Sequence, residues 1–159
     1  SHKDFINRES FDSALAEEID RHTPDVIVLA GFMRILTDGF VERYRGRLIN
    51  IHPSLLPAYP GIDTHKRALR DGIKIHGCTV HFVTPDLDHG PIILQAAVPV
   101  LREDTPQTLA ARVLREEHRI YPQAIRWLCH NQTWLDEKGC VASNRLEQPG
   151  MALISPGLE

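Results

Sequence analysis

Residues 26–30 read Val-Ile-Val-Leu-Ala, an apolar run of strand length with no alternation of polarity. A strand that is apolar on both sides has to be covered on both faces, as in a parallel sheet between layers of helices. The chain is therefore expected to be α/β, and helical patterns flank the run. Phe11, Leu15 and Ile19 recur at helical spacing and predict a helix over about 9–22, with Ser10 in its cap. Thr23-Pro24-Asp25 ends it. Beyond Gly31, a mostly apolar loop, Phe32-Met33-Arg34-Ile35-Leu36, leads toward a helix near 38–44.

Residues 48–59, Leu-Ile-Asn-Ile-His-Pro-Ser-Leu-Leu-Pro-Ala-Tyr, are the most informative stretch. Leu48, Ile49 and Ile51 make a short strand, and Asn50 and His52 share one face of it. Pro53 ends the strand, and Ser54, Pro57 and Pro60-Gly61 form a stiff loop. The carboxyl end of a strand in an open parallel sheet is where ligands bind. An amide and an imidazole placed there suit a carbonyl oxygen that gains negative charge. By themselves, the same two residues also read as a polar strand end with a packed histidine.

Downstream, Asp63 and Gly72 bracket a short basic helix containing His65, Lys66, Arg67 and Arg70. A strand within 74–84 places Thr79, His81 and Val83 on one face, with Val80 and Phe82 on the other. Strand histidines are ordinarily core residues, and both readings of His81 stay open at this point. Pro85-Asp86-Leu87-Asp88-His89-Gly90-Pro91 is a rigid acidic turn. The β-rich run at 92–100 follows, predicting an antiparallel edge hairpin. Thr105-Pro106 opens the longest helix, which Tyr121-Pro122 should kink or interrupt before it resumes toward Leu128. A further strand is expected at Cys140-Val141, then a polar tail over 146–159.

A length of 159 residues suits one domain spanning 1–159, and 42% hydrophobic with 25% charged residues is ordinary for a soluble protein. A formal charge of -3 argues against a nucleic-acid partner, which would need a basic face. Cys78, Cys129 and Cys140 have neither metal-ligand nor disulfide-framework spacing, and no apolar run is long enough to span a bilayer. The expectation is a cytoplasmic chain with free thiols, no metal and no membrane partner, as monomer or homodimer.

His-Pro-Ser-Leu-Leu-Pro at 52–57, followed by Tyr59-Pro60-Gly61, resembles the formyltransferases that use 10-formyltetrahydrofolate. The run Gly-Cys-Thr-Val-His-Phe-Val-Thr-x-x-Leu-Asp-x-Gly-Pro-Ile-Ile from Gly77 is similar to their second signature, whose aspartate falls on Asp88. The resemblance covers about 1–145 and implies a Rossmann-like open, mostly parallel sheet with helices on both faces. Members carry further strands and a glycine-rich phosphate loop ahead of the matching region, so the chain reads as lacking that N-terminal part.

The family pattern implies catalytic roles for Asn50, His52 and Asp88, with His81 in support. It implies folate contacts for Arg8, Met33, Arg34, Ile35 and Leu36, and for Val41, Thr84 and Asp86. Ile51, Pro53, Gly61 and Glu117 fall at acceptor-binding positions. The implied acceptor is glycinamide ribonucleotide, which takes the formyl group on its primary amine during purine synthesis. Relatives that formylate initiator tRNA follow the first motif with an arginine-rich loop, whereas this chain has Ala58-Tyr59-Pro60-Gly61-Ile62-Asp63. That difference favours the small acceptor. The remaining alternatives are another 10-formyltetrahydrofolate-using enzyme or an inactive folded fragment.

Overall fold

A computed structural model describes residues 5–145 and 153–156, so most of the expected polar tail lies outside the described residues. The elements in order are α1 (Arg8–Arg21), β1 (Ile27–Leu29), α2 (Asp38–Arg43), β2 (Leu48–His52) and α3 (Thr64–Arg70). They continue with β3 (Ile75–Phe82), β4 (Ile92–Pro99), α4 (Pro106–Cys129), β5 (Thr133–Leu135) and β6 (Val141–Ser143). No helix among the described residues is long and apolar enough to cross a membrane.

Four strands form one sheet in the order β1-β2-β3-β4. β1 and β2 are parallel, while β2–β3 and β3–β4 are antiparallel. The α/β class and the helices on both faces hold, and within the described residues the sheet is mixed. The reversal comes from the loop and α3 after β2, which return the chain so that β3 runs against β2. His52 then lies opposite Thr79, and Asn50 opposite His81.

Alternation along β2 separates two cores. Leu48 packs with Ala16 of α1, Phe40 and Val41 of α2, and Tyr44 just after α2. Ile49 packs on the other face with Val80, Phe82 and the α4 residues Tyr121, Ala124 and Leu128. Asn50 and His52 have the parity of Leu48, so they and His81 face away from α4.

Several expectations about ends change. α1 is capped by Asn7, whose Oδ1 accepts from Ser10 N at 2.8 Å, while the Ser10 hydroxyl takes the returning half of a capping box. Ser10 is thus the third helical residue and not the cap. Asp63 does occupy the cap of α3, but with φ 56° its side chain makes no capping bond. Thr105 and Pro106 open α4 as expected. α4 is assigned as one helix through Pro122 to Cys129. Proline forfeits one backbone bond, yet Tyr121, Ala124 and Leu128 bury the helix on either side of it. The Tyr121 hydroxyl also reaches the Leu29 carbonyl at 2.6 Å. The strand near Val141 exists as half of the β5–β6 hairpin.

Candidate active site

His52 ends β2 and is 6% exposed. Its Nε2 lies 2.9 Å from the Tyr59 carbonyl oxygen. A carbonyl can only accept, so Nε2 carries a hydrogen. The other ring nitrogen, Nδ1, faces Asp88 Oδ2 at 3.5 Å. A bare Nδ1 there would set a lone pair against a carboxylate, whereas a proton on it makes an ion pair. The geometry therefore favours one proton held between His52 and Asp88.

Asp88 is fixed from a second side by the Gly61 N–H, which donates to Oδ2 at 2.8 Å. Its route to His52 is not a meeting of two adjacent strand ends. β3 runs antiparallel to β2, so Phe82 lies beside Ile49 and the β3 end points away from His52. Convergence depends on the 83–90 loop folding back over the face that carries Asn50, His52 and His81. Asp88 itself has φ 55°, a left-handed conformation that aspartate tolerates better than most residues.

His81 Nδ1 donates to the Phe82 carbonyl at 2.9 Å, which leaves Nε2 as a bare acceptor. That nitrogen is buried without a hydrogen-bond partner among the described residues and sits 4.0 Å from Asp88 Oδ1. Burial is the main cause holding the imidazole below its ordinary pKa, so it stays neutral. Asn50, His81 and Asp88 line one cavity, whose apolar walls include Leu29, Phe32, Ile35, Leu36, Val41 and Val83. Arg34, Thr84, Pro85 and Leu87 complete the lining. The Arg34 guanidinium stacks 4.1 Å over the Phe11 ring, with Nη1 buried and, among the described residues, unpartnered. A flat ring system with polar edges and an anionic end fits apolar walls beside an unsatisfied guanidinium and an unsatisfied imidazole.

Of the residues named from sequence, Asn50, Asp88, His81, Arg34, Ile35, Leu36, Val41 and Thr84 meet in this cavity. His52 and Gly61 join through Asp88. Met33 is 81% exposed and, with Arg8 and Asp86, stands outside the lining. Ile51 packs with the α4 core, on the face opposite Asn50. The Pro53 carbonyl accepts from the Thr64 hydroxyl at 2.7 Å. Glu117 is half-buried on α4, and burial raises its carboxyl pKa. Sequence reasoning missed the Tyr59 carbonyl as the partner of His52. Tyr59 has φ 56°, a conformation costing about 1–3 kcal/mol for a bulky residue. Nothing in its identity signals that geometry.

A second histidine pair lies behind the loop. His76, 1% exposed, places Nε2 3.2 Å from His65 Nδ1. Its own Nδ1 is buried and has no hydrogen-bond partner among the described residues. Burial, then the His65 charge, pushes the His76 pKa down to about 4, and burial likewise lowers His65. The unfolded chain titrates these groups near 6.5, so between about pH 4 and 6.5 it binds more protons than the folded chain. Stability then rises with pH across that window. Acidification from pH 7 to 4.5 is expected to lower the denaturant midpoint, with His76 contributing up to about 3 kcal/mol by pH 4. His76→Gln should flatten the slope in urea titrations. Asp104, held below the usual carboxylate range by Arg112, acts only at lower pH. An unchanged slope in the variant would remove His76 as the cause.

The chain matches the family described as Formyl transferase over residues 1–125. It is 54% identical over 139 residues to phosphoribosylglycinamide formyltransferase of Escherichia coli (strain K12), covering 83% of this chain and 66% of that protein. The solved structure of phosphoribosylglycinamide formyltransferase from Coxiella burnetii superposes with TM-score 0.86 at 48% identity, covering 90% of this chain and 67% of the other. A formyltetrahydrofolate deformylase from Pseudomonas syringae pv. tomato matches with TM-score 0.80 at 29% identity, over 86% of this chain and 46% of its own. The chain thus spans about two thirds of the length of the two formyltransferases.

Proposed function

We propose a function from the premise that this chain belongs to the formyl transferase family, which its match over residues 1–125 establishes. It transfers the formyl group of 10-formyltetrahydrofolate to the primary amine of glycinamide ribonucleotide. The observation that carries this reading is the His52–Asp88 pair, at 3.5 Å, beside a cavity that also holds Asn50 and His81.

The acceptor nitrogen attacks the formyl carbon, and the carbonyl oxygen becomes an oxyanion. The Asn50 amide donates to that oxygen without changing its own charge. His52, protonated on both nitrogens, adds a charged donor. Asp88 stabilises that imidazolium and relays a proton from the attacking ammonium to the departing folate nitrogen, directly or through water. The carbon–N10 bond then breaks, releasing tetrahydrofolate and the formylated amine. His81 Nε2, a neutral acceptor, takes a hydrogen bond from the nucleophile. Arg34 faces the anionic end of the folate, with Ile35, Leu36, Val41 and Thr84 around its ring. Arg8, Met33 and Asp86 act at the outer rim. Ile51, Pro53, Gly61 and Glu117 belong to the acceptor side.

The deciding experiment incubates the protein with 10-formyltetrahydrofolate, with and without glycinamide ribonucleotide, and quantifies formylated amine, tetrahydrofolate and formate. Equimolar formylated amine and tetrahydrofolate, dependent on the acceptor, is the expected result. Acceptor-independent formate release would favour hydrolysis, the reading that the likeness to a deformylase supports. Transfer to methionyl-tRNA alone would move the acceptor class. No product of any kind would sink the enzymatic reading. Arg34→Leu is expected to weaken binding of a folate analogue roughly tenfold or more, by loss of a charge-assisted contact. Unchanged affinity in equilibrium titration would remove Arg34 from the folate site.

A further inference from the structure

We infer that Thr79 is a positioning residue: its hydroxyl sets the shape of the 53–61 loop and, through it, the tautomer and orientation of His52. The kinetic part of this inference rests on the formyl-transfer reading; the tautomer part does not.

Thr79 is fully buried on β3, directly opposite His52 and on the same face. Its hydroxyl donates to the Ser54 carbonyl at 2.7 Å and accepts from the Leu56 N–H at 3.0 Å. The Gln95 amide, reaching in from β4, donates to the same hydroxyl at 2.9 Å and to the Leu56 carbonyl at 3.0 Å. One donor and two acceptor sites are all that a threonine hydroxyl has, so Thr79 is saturated. Ser54 is also fully buried and carries the bracing onward by donating to the Ala58 carbonyl at 2.6 Å. Backbone groups at 54, 56 and 58 are therefore held in turn by side chains. The next residue is Tyr59, whose left-handed backbone aims its carbonyl at His52 Nε2. Two residues later the Gly61 N–H meets Asp88.

A strained conformation persists only where its surroundings over-determine it. Thr79 supplies that constraint from beneath the loop. Without the hydroxyl, a buried carbonyl and a buried N–H lose their partner together. Tyr59 is then free to leave the left-handed region, and His52 Nε2 loses the acceptor that holds its hydrogen. The ring can then turn away from Asp88, and in its neutral form His52 can swap tautomers. The cavity that would take the folate is not lined by residues 53–61, so this disturbance reaches the reacting groups and bypasses folate affinity.

The test compares Thr79→Val, which keeps the shape without the hydroxyl, with Thr79→Ser, which keeps the hydroxyl. Thr79→Val is expected to lower kcat about 10-fold to 10²-fold, the scale for a catalytic group displaced by a fraction of its contact distance. Folate-analogue affinity should stay constant, and Thr79→Ser should recover most of the rate. Nitrogen-15 NMR of His52, recorded at a pH high enough to leave its imidazole neutral, should show the Nε2–H tautomer in the wild type and in Thr79→Ser, and a tautomer mixture in Thr79→Val. Gln95→Leu, at an exposed strand position, should move rate and tautomer the same way by less, and it decides the matter where Thr79→Val does not fold. A lower melting temperature with kcat and tautomer unchanged well below it would overturn the inference. Absence of formyl transfer by the wild type would remove the functional reading and leave the NMR comparison to decide the rest.

Discussion

On the formyl-transfer reading, Asp88→Asn is expected to lower turnover by roughly 10²-fold or more, with folate-analogue affinity nearly unchanged. The substitution is clean because asparagine also tolerates the left-handed conformation that Asp88 adopts, with φ 55°. It keeps an oxygen for the Gly61 N–H but removes the charge facing His52 Nδ1. The proton shared by the pair then loses its counter-charge, and the proposed relay from amine to folate nitrogen loses its base. Asn50→Ala should cost roughly 10²–10³-fold in turnover, the range for a missing oxyanion donor. The two losses combine to less than their product, because both groups act on one reacting centre. Steady-state kinetics of the single and double variants, with analogue titrations alongside, would decide. Weakened binding at constant turnover would make both groups ligand-positioning residues. Near-normal transfer by a variant with Asn50, His52 and Asp88 all changed to alanine would eliminate the site.

Gly90→Ala is expected to approach the effect of losing Asp88, although Gly90 bears no functional group. A Cβ built there lies 1.7 Å from the Phe82 carbonyl oxygen and 3.3 Å from His81 Nδ1. The obstacle is strand backbone, which cannot turn aside as a flexible side chain can. The 83–90 loop must lift, and Asp88 leaves His52 with it. Turnover should fall by about 10²-fold, the scale of lost general acid–base catalysis, and overpacking should cost about 1–3 kcal/mol of stability. The signature is non-additivity: Gly90→Ala in an Asp88→Asn background should add little further loss of turnover. Independent, multiplying losses would show that Gly90 acts otherwise than through Asp88.

Local chemistry carried much of this protein in one dimension. The apolar run at 26–30, the helical spacing of Phe11, Leu15 and Ile19, and Thr105-Pro106 announce elements that the structure contains. Period-two alternation put Asn50 with His52, and Thr79 with His81, on shared faces, and the register of β2 against β3 agrees. These readings succeed because strand parity, capping and helix periodicity depend on neighbours a few residues apart. The two motifs around His52 and Asp88 also marked the residues that meet in or beside the cavity.

The direction of β3 against β2, by contrast, was decided only by tertiary structure. The residues of β3 do not by themselves state a polarity toward β2, and the loop and α3 after β2 turn it antiparallel. Asp88 therefore reaches His52 by the return of a loop whose approach hinges on the absence of one Cβ at Gly90. The tautomer of His52 was equally hidden, since it depends on the carbonyl of Tyr59, a backbone group that every residue possesses. Sequence names the side chains that can do chemistry and the faces they occupy. Which backbone atoms meet them is settled by long-range packing, because a carbonyl or an amide gains its meaning only from where the fold puts it.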